Sequence, residues 1–229
     1  MNAPRVLVVA AHPDDEVLGC GGTIARLART HDVHIGIMGE GISARFTQRS
    51  DAPSAELQRL QEQAQAVASA LGARSVQFGG LPDNRFDEVA LLELVKLIER
   101  WIQALKPQIV YTHHAGDLNI DHQFAFRAVL TATRPMQGAT VRELYSFEVP
   151  SSTEWAFQRM ELAFRPNVFV DIAETLEAKI NAMQRYSGEM RPFPHPRSAE
   201  ALRAIAQRWG SVIGVEAAEA FELIRSIRA

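Results

Sequence analysis

The fold of this chain is indicated by the stretch VLVVAAHPDDE, residues 6–16. Its first part, residues 6–11, is a continuous apolar run, as expected for a strand buried on both faces of a parallel sheet. Its second part, His12-Pro13-Asp14-Asp15-Glu16, places four side chains that can bind protons or metal directly after that strand. Ligands of open α/β sheets bind at the carboxyl ends of the strands. The stretch therefore predicts a site as well as a strand.

The sequence around this stretch alternates predicted strands and helices. Further strands are predicted at residues 33–39, 76–78, 108–112, 144–149 and 168–172, and helices at 16–30, 57–71, 88–105 and 121–133. Repeated β-α-β units imply parallel strands with right-handed crossovers. We therefore predict one α/β domain over residues 1–229, with a Rossmann-like, mostly parallel sheet, helices on both faces and a helical C-terminal segment.

The C-terminal part is predicted to be mostly helical from residue 173 onward. Helices are expected at residues 174–186, 199–209 and 216–227. Residues 190–198 contain three prolines, which exclude a helix and predict an extended, rigid segment.

Composition excludes several classes of protein. Hydrophobic residues make up 47% and charged residues 22%, and the net charge of −3 provides no basic surface for nucleic acid. The single cysteine, Cys20, cannot form an intrachain disulfide and is compatible with a reducing compartment. The sequence shows no charged-then-apolar N-terminal pattern and no apolar run of about 20 residues, so we expect neither a signal peptide nor a membrane span. We expect a cytoplasmic protein with no membrane span and no nucleic-acid partner; whether it is a homo-oligomer stays open.

A second polar cluster, HHAGDLNIDH at residues 113–122, follows the predicted strand 108–112. A metal that activates water needs three protein ligands and one open position. His12, Asp15 and His122 would supply two imidazoles and one carboxylate. This set suits Zn²⁺ best, although Fe²⁺ or another divalent transition metal can use it.

Several neighbours of these residues have two readings. Asp14 could accept a proton from water at the metal, and Asp121 and Glu16 could orient a ligating imidazole through its other nitrogen. Acidic residues such as Asp14 and Glu16 also cap helix N-termini. His113 and His114 could be ligands or could simply end a strand.

A glycine run in the same region allows a rival interpretation. Gly19-Cys20-Gly21-Gly22 resembles a dinucleotide-binding turn, with Glu40 about 20 residues further on. However, Ile24 stands where that fingerprint has glycine, and Gly19 comes late after the strand. We therefore expect the glycines inside the first helix and keep a nucleotide-binding oxidoreductase or transferase as an alternative.

The run from His12 to Glu16, followed by Gly19 and Gly21-Gly22, resembles the AHPDDE signature of the PIG-L/LmbE family of zinc-dependent N-deacetylases. Asp121-His122 resembles the second metal motif of that family. The resemblance implies removal of the N-acetyl group from an N-acetylated amino sugar, with release of acetate and a free amine. It also implies that His12, Asp15 and His122 bind zinc and that Asp14 is the general base.

The resemblance leaves the substrate open among glycolipid, thiol-sugar, antibiotic and nucleotide-sugar precursors. Arg45 matches the position of a substrate-contacting arginine in relatives, and Arg197 could hold a phosphate by paired hydrogen bonds. These two residues favour a phosphate-bearing sugar intermediate of surface-polysaccharide synthesis. Both could equally be charges on solvated loops.

One position departs from the family pattern. Many members carry a histidine three residues before the ligating histidine, whereas this chain has Asn119. An amide cannot be a general acid, but it can donate a hydrogen bond to an oxyanion. If an imidazole is required, His195 is the candidate. Asn119 also keeps open a second alternative, a catalytically silent sugar-binding relative.

Overall fold

The computed structural model describes residues 3–160 and 162–228. These residues form a seven-stranded sheet and six α-helices. The strands are β1 (Arg5–Ala10), β2 (Asp32–Gly39), β3 (Ser75–Leu81), β4 (Ile109–His113), β5 (Glu143–Phe147), β6 (Val168–Asp171) and β7 (Ala218–Ser226). The helices are α1 (Asp15–Leu27), α2 (Ser54–Ala70), α3 (Leu91–Leu105), α4 (Ile120–Ala132), α5 (Leu176–Met183) and α6 (Ala199–Ile213).

The strand order is β3-β2-β1-β4-β5-β7-β6, and the first five strands in this order are parallel. The chain runs outward from β1 to β3 and then returns to place β4 on the other side of β1. The carboxyl ends of β1 and β4 therefore border the crevice where ligands of such sheets bind. This arrangement confirms the predicted Rossmann-like sheet.

Helices cover both faces of the sheet, as the apolar run of β1 requires. Val6 and Val8 belong to the core beneath α1, α2 and α5, whereas Leu7 and Val9 belong to the core beneath α3 and α4. All four side chains are at most 1% exposed. Because successive side chains of a strand point to opposite faces, one short strand supports both layers.

The C-terminal segment differs from the prediction. Helices α5 and α6 form, but residues 216–227 do not make a third helix, because Ala218–Ser226 is β7. This strand lies antiparallel between β5 and β6. Its alanine, glutamate and leucine residues favour a helix by a few tenths of a kcal/mol each, and pairing on both edges overrides that preference. Phe221 is fully buried in the core.

The glycine run lies inside α1, as predicted. A Cβ atom on Gly22 would come within 2.9 Å of Ile172, and Gly19 faces the ring of Phe147. The glycines therefore allow close packing of side chains on α1 and do not form a turn that cradles phosphate. The helix is kinked at Cys20, whose φ of −148° and ψ of 27° are not helical.

A buried ion pair supports this kink. Glu219 of β7 accepts hydrogen bonds from the backbone N–H groups of Gly22 (3.0 Å) and Thr23 (2.7 Å). The Nζ of Lys179 lies 2.6 Å from Glu219 and 2.8 Å from the carbonyl oxygen of Leu18. The pair thus satisfies backbone groups on both sides of the break in the helix.

The proline-containing segment 190–198 is not helical, as predicted, but it is turned rather than extended. The N–H of His195 donates to Pro192 O and that of Ser198 donates to His195 O, at 3.1 and 2.9 Å. In the described part of the chain, we find no helix whose length and apolar character would let it cross a bilayer.

Candidate active site

Three predicted ligands meet in the crevice between β1 and β4. His12 follows β1, Asp15 begins α1, and His122 lies in the first turn of α4. The Oδ2 of Asp15 is 3.3 Å from Nδ1 of His12 and 3.2 Å from Nε2 of His122. One ligand atom from each residue lies within 4.8 Å of the others. All three side chains are almost entirely buried.

The opposite nitrogen of each imidazole faces a carboxylate. Nε2 of His12 lies 2.9 Å from Oδ2 of Asp121, and Nδ1 of His122 lies 3.1 Å from Oδ1 of Asp117. The ring of His12 can donate its proton to Asp121, whereas Nδ1 of His122 is close to Asp117 without hydrogen-bond geometry. Both contacts favour the tautomer whose other nitrogen presents a lone pair toward Asp15. Lone pairs from three residues thus converge, and this donor set fits a divalent cation.

Without a cation, the same arrangement attracts protons. Burial alone would lower the pKa of His122, but the carboxylates of Asp15 and Asp117 outweigh that effect and raise the pKa to about 9. The field at this position is therefore strongly negative and favours a bound positive charge.

Asp14 is buried beside this group and has an unusual backbone. Its φ of 108° lies in the region that side-chain-bearing residues rarely adopt. The N–H of Asp14 donates to Oε2 of Glu16 at 3.0 Å, and the other oxygen of Glu16 accepts the hydroxyl proton of Tyr186. Glu16, expected to orient an imidazole, instead holds the backbone of Asp14.

The carboxylate of Asp14 faces a cation. Its Oδ2 accepts a hydrogen bond of 2.7 Å from Nη1 of Arg197. Burial raises the pKa of Asp14 well above its usual value, and Arg197 acts in the opposite direction.

His113 and His114 lie outside the group of three ligand atoms. His113 is fully buried, and its Nε2 accepts a hydrogen bond from the N–H of Ala11 at 2.7 Å. Burial lowers the pKa of His113 to about 3, which keeps the ring neutral. His114 points away, with its nitrogens 2.9 Å from Glu222 and from the carbonyl oxygen of Leu162.

A polar cleft opens above the three ligand atoms. Asn119 lines it and caps α4: its Oδ1 accepts from the N–H of Asp121 at 2.8 Å, and its Nδ2 donates to Asn84 at 2.9 Å. Because Oδ1 accepts the capping hydrogen bond, Nδ2 is the end of the Asn119 amide that remains available as a donor.

Both predicted substrate arginines line the cleft and contact carboxylates. Arg45 forms an ion pair with Glu189. Arg197 contacts Asp14 and also lies 3.6 Å from Glu189. A phosphate would have to compete with these carboxylates for either guanidinium.

His195 is not among the residues that line the cleft. Its ring meets Trp155 edge-on with 5.6 Å between centroids, and its Nδ1 accepts from the N–H of Arg197 at 3.1 Å. The structure therefore places His195 behind Arg197 rather than beside the ligand atoms.

Four residues of the site were not singled out from the sequence: Asp83, Asp117, Tyr186 and Glu189. Asp83 lies 3.3 Å from His12 and also faces the cleft. Asp117 belongs to the second polar cluster, so its spacing from His122 could have indicated it. Tyr186 and Glu189 reach the site only through tertiary packing, and no local pattern marks them.

Comparisons with known proteins show a family for this chain. Residues 7–133 match the family model described as PIG-L: GlcNAc-PI de-N-acetylase. The 1D-myo-inositol 2-acetamido-2-deoxy-alpha-D-glucopyranoside deacetylase of Mycolicibacterium smegmatis is 28% identical, over 90% of this chain and 87% of that protein.

Solved structures share the fold. The N,N'-diacetylchitobiose deacetylase from Pyrococcus horikoshii has a TM-score of 0.76 at 21% identity, covering 97% of this chain and 84% of that one. GalB, the 4-carboxy-2-hydroxymuconate hydratase from Pseudomonas putida, has a TM-score of 0.74 at 24% identity, covering 99% and 98%. Because a hydratase shares this fold, the reaction has to be argued from the site.

Proposed function

Because the chain belongs to the PIG-L family of deacetylases, we propose that it is a metal-dependent enzyme that removes the N-acetyl group from an N-acetylated amino sugar. The products are acetate and a free amine. The observation that carries the proposal is the convergence of lone pairs from His12, Asp15 and His122 beneath a polar cleft.

These three residues would hold the metal, for which Zn²⁺ is the first choice and Fe²⁺ or another divalent transition metal the alternative. When bound, the cation supplies a Lewis acid for the amide carbonyl. Asp121 and Asp117 keep the two imidazoles in the ligating tautomer through contacts of 2.9 and 3.1 Å.

Asp14 is proposed as the general base. Its carboxylate accepts a proton from the attacking water as the new C–O bond forms, and returns it to the nitrogen as the C–N bond breaks. Asn119 is proposed to donate an amide hydrogen to the acetyl oxygen, because its own carbonyl is engaged as the cap of α4.

The lining of the cleft fits a hydroxyl-rich substrate. Arg45, whose side chain is half exposed, is proposed to contact the sugar. The proposed substrate is an N-acetylated sugar in either a glycoconjugate or a nucleotide-sugar precursor. The ion pair of Arg45 with Glu189 favours hydroxyl recognition over a free phosphate site at this position.

The alternative of a nucleotide-binding oxidoreductase or transferase receives no support from the glycine run, which packs against side chains inside α1. The catalytically silent relative shares the geometry of the proposed enzyme and is separated from it by experiment.

The test combines metal analysis with acetate release from N-acetylglucosamine, N,N'-diacetylchitobiose and a nucleotide-linked N-acetylglucosamine. Wild type and a His34→Ala control should contain about one metal per chain, whereas His122→Ala should lose it. His34 is the matched control because it contacts Ser75 at the opposite end of the strands. Wild type should release acetate from at least one substrate.

Two results would contradict the proposal in different ways. Metal binding without acetate from any substrate would support the silent relative. Failure to bind Zn²⁺ even on titration would overturn the metal site itself.

A further inference from the structure

The side chain of Arg197 joins three loops at the carboxyl edge of the sheet. Its Nη1 donates to Oδ2 of Asp14, in the loop after β1, at 2.7 Å. Its Nε donates to Oγ of Ser151, in the loop after β5, at 2.7 Å. Its third neighbour, Glu189, follows α5 at 3.6 Å. The guanidinium thus fixes elements that are far apart in sequence.

Two partners of Arg197 have strained backbones. Asp14 has a φ of 108° and Ser151 a φ of 73°, and neither is a glycine. Such conformations persist only where the surroundings impose them, and they concentrate at functional sites. One planar group therefore ties together two strained positions of the cleft.

The backbone of Arg197 is itself held in place. The next residue, Ser198, caps α6 by accepting the N–H of Ala201 at 3.0 Å. On the other side, the Nδ1 of His195 accepts the N–H of Arg197 at 3.1 Å. The guanidinium is therefore presented from a fixed support, and its side chain is only 21% exposed.

The contact occupies one oxygen of Asp14. Among the described residues, no hydrogen bond reaches the other oxygen, Oδ1. A carboxylate held by one oxygen has a fixed plane and keeps the second oxygen for a proton. Asp14 also neighbours the ligand Asp15, so an unrestrained carboxylate could turn toward the metal instead.

We propose that Arg197 is a positioning residue, which holds Oδ2 of Asp14 so that Oδ1 remains the proton acceptor. This inference rests on the proposed function, in which Asp14 is the base. It replaces the expectation that Arg197 binds a substrate phosphate. A lysine could reach only one of the two oxygen partners, because an ammonium lacks the planar fork of a guanidinium.

The kinetic test compares wild type, Arg197→Ala, Arg197→Lys and a control, Arg191→Ala, on the N-acetylated sugar that wild type hydrolyses. Arg191 belongs to the same loop and is exposed. Arg197→Ala should keep its metal and lose about 10- to 100-fold in kcat, the range typical of residues that orient a functional group, with little change in KM. Arg197→Lys and added guanidinium ion should each restore part of kcat.

A combined variant tests whether Arg197 acts through Asp14. In an Asp14→Asn background, Arg197→Ala should cause almost no further loss of kcat. In urea unfolding of the zinc-loaded proteins, the double variant should lose less stability than the two single losses together. This second readout needs no turnover.

The outcomes separate this inference from the proposed function. An inactive wild type would overturn the proposed function and the role of Arg197 with it. With an active wild type, a raised KM at unchanged kcat would make Arg197 a substrate ligand. Loss of metal in both Arg197→Ala and Arg197→Lys would make it a support of the ligand group, and additive losses in the double variant would exclude coupling to Asp14.

Discussion

Helix α1 contacts two buried clusters of charged side chains, one at its N-terminus and one at its kink. At its N-terminus, Asp15 lies between the imidazoles of His12 and His122, and this group attracts protons when no cation is bound. At its kink, Glu219 accepts two backbone N–H groups and the ammonium of Lys179, which also reaches a carbonyl oxygen. Both clusters are at most 8% exposed.

The two clusters differ in how far their charges are balanced by partners within the protein. At the kink, the carboxylate of Glu219 is matched by two backbone N–H groups and the ammonium of Lys179, so its charge is balanced within the fold. The group at the N-terminus is balanced only by a positive charge taken from solution, either protons or a metal ion. Buried charge alone does not indicate function; the unmatched part of it does.

The largest effect is expected from Asp14→Asn, beside the cluster at the N-terminus of α1. The amide cannot accept a proton, so turnover should fall by about 10²- to 10⁴-fold while the metal remains bound. Acetate release and metal content measure the two quantities separately. Asp32→Asn, at the amino end of β2, is the control, and full activity of Asp14→Asn would exclude it as the base.

The next largest effect, a loss of stability, is expected at the cluster formed by Lys179 and Glu219. Lys179→Met leaves the carboxylate of Glu219 buried without its cation, which should cost about 3–5 kcal/mol in the free energy of unfolding. The folded protein should still bind its metal. Urea unfolding measures the loss, and Arg203→Met serves as a control because its ion pair with Glu177 is largely exposed. Equal effects in the two variants would remove the distinction between the clusters.

Removal of the metal should lower the stability that depends on the cluster at the N-terminus of α1, whether or not the cluster at the kink is intact. With free Zn²⁺ at 100 times its Kd, binding to the native state adds about 2.7 kcal/mol to the apparent stability. A chelator should abolish this increment in wild type and in Lys179→Met. It should leave His122→Ala unchanged. A chelator effect in His122→Ala would place the stabilising metal elsewhere.

The smallest effect is expected from Asp117→Asn. Asp117 contacts His122 and accepts hydrogen bonds from Ser152 and Thr153. The amide weakens its hold on the imidazole, so metal affinity should fall by about 10- to 100-fold. Competition with a metal indicator measures this, with Thr153→Val as the control that leaves the imidazole contact in place. Unchanged affinity would show that His122 orients itself.

The sequence predicted the parallel part of the sheet well because its signal is local. The apolar runs of β1, β2 and β4 need buried positions on both faces, and the helices between them show a clear apolar face. Strand β7 was missed because its composition favours a helix, and its strand form comes from pairing with β5 and β6. Such long-range pairing leaves no periodic pattern in so short a segment.

The residues of the site also divide into those that a local sequence pattern indicated and those that only tertiary packing brings there. His12, Asp15 and His122 were predicted because each follows a recognisable strand, and the topology brings strand ends together. The contact between Asp14 and Arg197 spans 183 residues and could not be predicted. His195 was expected near the reacting groups because it lies with Arg197 in a rigid, proline-bound loop, whereas turn geometry directs its ring to the backbone of Arg197.

The capping of α1 by Glu219 has a consequence for the order in which the molecule can be completed. The three proposed metal ligands are all synthesised by residue 122, within the segment 7–133 that matches the family model. The carboxylate that satisfies the break in α1 arrives almost a hundred residues later, from β7. During synthesis, the metal-binding residues are therefore present well before Glu219 can satisfy the backbone N–H groups at the break in α1. The contact joins residues 197 positions apart, so it can form only after residue 219 has been synthesised.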